Sequence, residues 1–407
     1  MDRRKAALLL VYAGLAGHAF FVPISIAGMQ IALGVAAAGL LLALPRPLRT
    51  ALDWPVLAFL GLAVLSDLWA EDGAAPLSNA TLWRSVLGFF VVAHGLRLLP
   101  REAPLKLVYC VCAGLLLSSL VGLLQYRTGV DLVYLAHLRS EAALVEAPGV
   151  PGRFGAMGFF TSRLTFGHSA TVLAAFLVGA LAAGALPVRR IWIAAGAAAL
   201  GLAAVAVTFD RAAWLGAFAA VALAALCSSA RVRKALLPAL LLMLLLASLH
   251  GGIRDRFGST FSAGANSDRV FLWTQAVRII RDHPLRGVGF GNYSRVCGRY
   301  YDQVDPTFGM RTWAHNLELS TLAETGPLGL LAMLWILGAA ALALRRRMRA
   351  GGLALGGLSA LAAFFVIAQA HDVLYDTKVM YGLWLVLGLS LSPAEGPSPG
   401  SPPARAG

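Results

Sequence analysis

Apolar residues fall in twelve long runs, at 6–22, 25–44, 52–69, 81–99, 105–125, 164–185, 190–208, 211–228, 235–250, 315–344, 353–371 and 378–393, separated by polar breaks. A run of about 20 apolar residues is long enough to cross the hydrocarbon core of a bilayer as an α-helix, and a helix satisfies its own backbone there. The pattern predicts an all-α polytopic membrane protein with about twelve transmembrane helices. They form a single bundle over 1–393, followed by a Pro/Ser/Gly-rich disordered tail at 394–407.

Two polar stretches break the pattern, at about 126–163 and at 251–314, the larger lying between predicted helices nine and ten. Loops this long inside a compact fold are functional or disordered. The larger one is not low-complexity. Ser267-Asp268 can cap a helix from Arg269 to Asp282, and Pro284 stops it. Within it Val270, Trp273, Val277 and Ile280 recur at helical spacing, a face suited to the bundle or the membrane surface, with Arg278 and Arg281 off that face.

Composition supports the membrane reading. The 407 residues are 58% hydrophobic and 13% charged, with mean hydropathy +0.73, whereas soluble domains carry about 25% charged residues. The net charge of +14 sits in short clusters: Arg3-Arg4-Lys5, Arg46 to Arg49, Arg97 to Lys106, Arg189-Arg190, Arg231 to Lys234, and Arg345 to Arg349. They fall at the N-terminus and after every even-numbered helix, the positive-inside pattern of a membrane protein and not the footprint of a nucleic-acid binder. Both termini are then cytoplasmic and both long loops face the other side. The first 22 residues imitate a signal peptide but read as a retained first helix, because another apolar run follows almost at once. Cys110, Cys112 and Cys227 lie in apolar runs and Cys297 in the larger loop, so no external pair presents itself for a disulfide.

Candidate chemistry concentrates at the outer ends of the helices. His315 opens the tenth predicted helix. The positive end of a helix disfavours a protonated imidazole, and a neutral histidine can act as a general base near pH 7. A polar residue that merely stabilises a helix end fits the same position. Gly326 and Gly329, about three turns further on, suit close helix packing under either reading. Arg211 follows Asp210 at the outer start of the eighth helix. An ionisable group at membrane depth is a functional candidate, while a local Asp–Arg pair or snorkelling to the headgroups is the structural alternative.

The stretch 251–314 holds nine arginines and no lysine. A guanidinium matches phosphate oxygens in a bidentate way that an ammonium does not. A chain-wide preference, 30 Arg to 4 Lys, accounts for part of that bias. Among Arg269, Arg278, Arg281, Arg286, Arg295, Arg299 and Arg311, Arg269 stands out because it starts the amphipathic helix. A base beside clustered guanidiniums at a bilayer edge points to chemistry on a phosphate-bearing lipid. Gly287-Val-Gly289-Phe-Gly291 has the glycines of a phosphate loop but no preceding strand, and reads as a tight turn. Asp302, Asp305 and Glu71-Asp72 lack geometric partners for a metal, so no metal and no cofactor is predicted. His371-Asp372 and Asp376-Thr377-Lys378 lie in the last outer loop, where they either complete a polar site with His315 or form a hydrated turn.

These motifs resemble the bacterial O-antigen ligase family, within the O-antigen ligase and polymerase superfamily. Its signature is a histidine, then Asn, Ser or Gln, nine residues, Gly, two residues, and Gly, Thr or Tyr. His315, Asn316, Gly326 and Gly329 fit it at every position. The segment Ser267 to Trp273, continuing through Asp282-His283-Pro284 to Gly291, is similar to the family's stretch before that histidine. Gly158 to His168 is similar to its first long outer loop, and Arg211 matches an arginine that opens helix eight. Asp210 departs from the small or hydroxylated residue expected there.

The resemblance implies a GT-C-like, metal-independent inverting glycosyltransferase of the bacterial inner membrane with a periplasmic active site. Its donor would be an undecaprenyl-pyrophosphate-linked glycan, and its acceptor a sugar hydroxyl of lipid A core, among membrane lipids and without nucleic acid. Polymerases of the superfamily take a second lipid-linked glycan as acceptor, and protein O-oligosaccharyltransferases take Ser or Thr. The implied catalytic residues are His315, Arg211 and Arg269. Asn316, Arg278, Arg286, Arg163, Asp372 and Asp376 are candidates for substrate contact. A transporter of lipid-linked sugars would place its polar residues near the midplane, and a structural subunit would not need the histidine motif.

Overall fold

The computed structural model describes residues 2–44, 49–70, 80–136, 144–147, 150–258, 267–301, 313–349 and 351–392. Among these it is all-helical, with one isolated β-bridge between Glu146 and Phe154. The helices are α1 (Arg3–Phe21), α2 (Ile26–Ala43), α3 (Asp53–Ser66), α4 (Ala80–Leu98), α5 (Ala103–Thr128), α6 (Leu132–Leu135), α7 (Arg163–Ala182) and α8 (Ile191–Ala206). They continue with α9 (Arg211–Leu226), α10 (Ala230–Leu249), α11 (Gly251–Gly258), α12 (Ser267–Asp282), α13 (Tyr293–Val296), α14 (Leu317–Met348), α15 (Ala354–Ala368) and α16 (Thr377–Leu391). Every predicted apolar run falls on one of these helices. Five described helical stretches are long and apolar enough to cross a membrane: 26–43, 103–128, 163–182, 188–206 and 317–348. The tail, Glu71-Asp72, Asp302, Asp305 and Arg311 lie outside the described residues.

The core forms around α7, which is buried on nearly all sides and packs against α8, α9, α15 and α16. Small residues allow this. A Cβ on Gly179 would stand 2.5 Å from the Leu355 carbonyl oxygen, so the backbones of α7 and α15 nearly touch. Without a hydrophobic force between helices in lipid, such close van der Waals contact is what holds them. The outward helices keep large apolar side chains in the open, among them Ile31, Leu41 and Trp192, as a lipid-facing surface requires.

The tenth predicted helix differs from its expectation at both ends of its outer portion. His315 does not begin it. Asn316 is the N-cap of α14, its side chain accepting from Leu319 N at 2.9 Å, and His315 precedes the cap in the left-handed region at φ 52°. Asn at an N-cap competes well for the first free N–H groups, which sets the boundary one residue later. Further along, α14 is interrupted at Gly326 (φ 67°), followed by Pro327. The glycine-rich turn at 287–289 fills the gap. Val288 N and Gly289 N donate to the Ala323 and Glu324 carbonyls, each at 2.9 Å. Those carbonyls are the ones a proline-broken helix leaves without partners. Gly326 and Gly287 are both required. Their φ values are positive, and a Cβ on Gly326 would lie 2.3 Å from the Leu285 carbonyl oxygen.

The larger loop is a folded cap with its own core of Ala276, Ile279, Val288, Tyr293, Val296, Cys297, Ala314 and Ala323. The buried stripe of α12 is Leu272, Gln275, Ala276 and Ile279, whereas Val270, expected on that face, is 58% exposed. The apolar arc of α12 is wide, and its packed edge runs along Leu272, Ala276 and Ile279, leaving Val270 outside it.

Candidate active site

Three segments meet at one end of the bundle: the entry to α14, the turn between α15 and α16, and the start of α7. They enclose an open cavity of about 500 Å³ lined by Thr161, Ser162, Thr165, His168, Trp313, His315, His371, Asp372, Tyr375, Asp376 and Lys378, among others. Its wall is unusually polar for a chain of this composition.

His315 stands at this wall with its strained backbone fixed from below. Its N–H donates to Asp372 Oδ2 at 2.5 Å, and the other Asp372 oxygen accepts from Ser320 Oγ one turn into α14. Burial pushes the Asp372 carboxyl up to about 6, against the opposing pull of these donors and of Arg269. Left-handed backbone in a non-glycine residue costs about 1–3 kcal/mol and persists where surrounding structure over-determines it. Phe209 shares the conformation at φ 56°. Arg163 Nη1 holds the turn at Phe209, donating to the Thr208 and Phe209 carbonyls at 2.7 and 3.1 Å.

Arg269 reaches the site from the first turn of α12. Nη1 donates to the Ala370 carbonyl, and Nη2 lies 3.5 Å from His371 Nε2. The His371 ring packs edge-on against His315, centroids 5.7 Å apart, and 4.4 Å from the ring of His168. Behind them is Asp210, whose carboxylate oxygens lie 2.7 Å from His168 Nε2 and 3.8 Å from His371 Nε2. Burial drives the His371 imidazole well below its ordinary value. His168 and Arg269 add to that shift, and Asp210 opposes it. Asp210 also caps α9, accepting from Ala212 N at 3.1 Å, so Arg211 opens that helix beside the cluster.

The floor is a second network. Glu324, two residues before the break at Gly326, is 1% exposed. It accepts Tyr293 N at 3.1 Å through Oε1 and the Tyr375 hydroxyl through Oε2. Tyr375 stacks at 4.4 Å on Trp313. One carboxylate therefore joins the loop cap, α14 and the last outer turn.

The predicted site residues divide clearly. His315, Asp372 and Asp376 line one cavity and Arg269 touches its wall, so the last outer loop joins His315 instead of forming a separate turn. Asp376 also caps α16 through Lys378 N and Val379 N. Asn316 uses Oδ1 on Leu319 N and Nδ2 on the Gln369 carbonyl, at 3.2 Å. Arg278 bonds Gln275 and the Tyr300 carbonyl within the cap. Arg286 stands over the Trp69 ring, 5.8 Å from its centroid. His168 and Glu324 carried no predicted role, while Lys378, named with the last outer loop, lines the cavity. His168 had a readable signal, an imidazole in an otherwise apolar helix. Glu324 had one as well, an acid within the tenth predicted apolar run.

Among the described residues the chain is all-helical with membrane-length spans, and histidine, arginine and aspartate meet at a polar cavity at the helix ends. Residues 196–334 match the family model described as O-antigen ligase, from within α8 to just beyond Gly329. The match covers Arg211, Arg269, His315 and the break in α14, and so makes this part of the chain similar to that family. No curated protein matches the chain.

Proposed function

We propose that this protein is an O-antigen ligase. It moves a glycan from undecaprenyl pyrophosphate to a sugar hydroxyl of lipid A core, in the bacterial inner membrane with the cavity facing the periplasm. Twelve membrane helices in a single bundle would place both termini in the cytoplasm. The observation that carries the reading is His315, held by Asp372 at the wall of a polar cavity beside Arg269.

In this reaction His315 takes the proton of the acceptor hydroxyl. The acceptor oxygen bonds to the anomeric carbon, the bond from that carbon to the phosphate oxygen breaks, and undecaprenyl pyrophosphate leaves with the electron pair. One displacement inverts the anomeric centre. Arg269 and Arg211 stabilise charge building on the leaving pyrophosphate, fixed donors being most effective where charge develops. Two lipid anchors confined to one plane supply much of the rate by positioning. Asp376 and Lys378 line the remaining wall for glycan contact. The hydrogen bonds of Asn316, Arg278, Arg163 and the placement of Arg286 favour support of the site over substrate contact.

The deciding experiment is transfer by purified protein from a glycan-linked undecaprenyl pyrophosphate, with lipid A core and a second donor glycan as competing acceptors. A glycan joined to lipid A core is the expected product. Lengthened lipid-linked chains would make the protein a polymerase with the same base. No product with either, from donor proven on a known ligase, would overturn both and turn attention to protein acceptors, then to transport.

A further inference from the structure

His168, Asp210 and His371 come from three separate parts of the chain, α7, the cap of α9 and the turn after α15. One ligand atom from each lies within 4.8 Å of the others. All three side chains are buried, at 3%, 4% and 8% exposure, yet His168 and His371 also line the cavity. His168 Nε2 and Asp210 Oδ2 stand 2.7 Å apart, and Asp210 Oδ1 is 3.8 Å from His371 Nε2.

We propose that His168, Asp210 and His371 form a transition-metal site in the cavity wall, of the two-histidine, one-carboxylate type that takes Zn²⁺ with a fourth position open. Ligand atoms about 2.0–2.1 Å from a tetrahedral zinc stand roughly 3.3 Å from one another. That separation lies between the 2.7 Å and 3.8 Å contacts observed here. A small opening of the first and closing of the second would seat the ion. The Asp210 carboxylate already faces a ring nitrogen of each histidine. The fourth position opens to the cavity, where a water or a phosphate oxygen fits.

The neighbouring charge defines what the ion would do. Arg269 Nη2 is 3.5 Å from His371 Nε2, one of the ligand atoms. A cation on the triad repels Arg269 and takes over its imidazole, so metal and Arg269 compete for His371. The site is therefore inhibitory, occupied at raised zinc and not required for transfer. That consequence rests on the glycan-transfer reading; the binding itself does not.

The test uses the untagged full chain in detergent, titrated with Co²⁺ and displaced by Zn²⁺. About one equivalent is expected, with the visible bands of four- or five-coordinate Co²⁺ and proton release on binding. H168F keeps a ring against His371 but removes a ligand. Its affinity should fall at least about 100-fold, the upper limit for loss of an outer-shell partner. Absence of binding, or equal affinity in H168F, would overturn the site. If H168F is not monodisperse, the spectrum of the unaltered chain decides: intense low-coordinate bands support the triad, and weak six-coordinate bands overturn it. Zn²⁺ inhibition of transfer reversed by EDTA would then establish the competition with Arg269. Stoichiometric zinc without inhibition would keep the site and remove that role.

Discussion

His315 and Asp372, 57 residues apart in sequence, are joined through a backbone N–H and a carboxylate at 2.5 Å. The contact leaves the imidazole to the cavity while fixing the left-handed backbone that aims it. H315A should lose transfer by roughly 10²–10⁴-fold, the usual worth of a general base, while inserting and folding normally. D372A should lose activity as well and also melt earlier, since a stranded buried N–H costs about 1–3 kcal/mol. Asn at 372 keeps one acceptor and should recover much of both. Transfer assays and thermal unfolding on the same preparations separate the two residues. Unchanged turnover in H315A would remove the base from the mechanism.

Arg269 contacts the Ala370 carbonyl and His371 with two nitrogens of one guanidinium. An ammonium cannot span both. Arg269→Lys should therefore be nearly as damaging as Arg269→Ala, in kcat more than in KM. Turnover at the wild-type level with Lys would show that charge alone is needed.

Asn316 belongs to the signature, yet both ends of its amide are used inside the protein. N316A should lower the melting temperature, by a cap loss worth about 0.5–2 kcal/mol, and reduce kcat through a displaced His315. KM for either substrate should hold. A selective rise in acceptor KM at unchanged stability would return Asn316 to the substrate.

Gly326→Ala would force a Cβ to 2.3 Å from the Leu285 carbonyl oxygen at a φ of 67°. Strain alone is about 1–3 kcal/mol, and the clash adds to it. The variant should be poorly folded in detergent, whereas G338A, at a helical glycine with open space around it, should behave like wild type.

Transfer should survive EDTA, because Arg211 and Arg269 are assigned the charge that a metal would otherwise offset. Chelator-sensitive turnover by protein free of contaminating metal would reverse that assignment.

The helix pattern was legible because a membrane span is written in consecutive residues; every predicted run became a helix. The histidine motif was legible as spacing, but its meaning was not. Asn316 reads as a substrate ligand in the string and caps a helix in space. Gly326 reads as helix packing and is the helix break. The triad of His168, Asp210 and His371 was illegible, because separations of 42 and 161 residues close only when α7, α9 and α15 pack. Asp210 nonetheless stood out as unusual, and His168 is its reason. The face of α12 was legible only as one suited to the bundle or the membrane surface; the packed edge runs along Leu272, Ala276 and Ile279 and leaves Val270 exposed.

The break at Gly326 changes what kind of part His315 rides on. Residues 317–325 are continuous with α14 in sequence, but their last carbonyls are held by the 287–289 turn and Glu324 is tied to Tyr293. Mechanically, the outer stub belongs to the loop cap, and the remainder of α14 to the bundle. Gly326 is then a joint. The stub carries His315 together with the cap that holds Arg269 and, through Asp372 and Tyr375, with the last outer turn, so base and guanidinium are positioned by one tied unit and not by the span below the break.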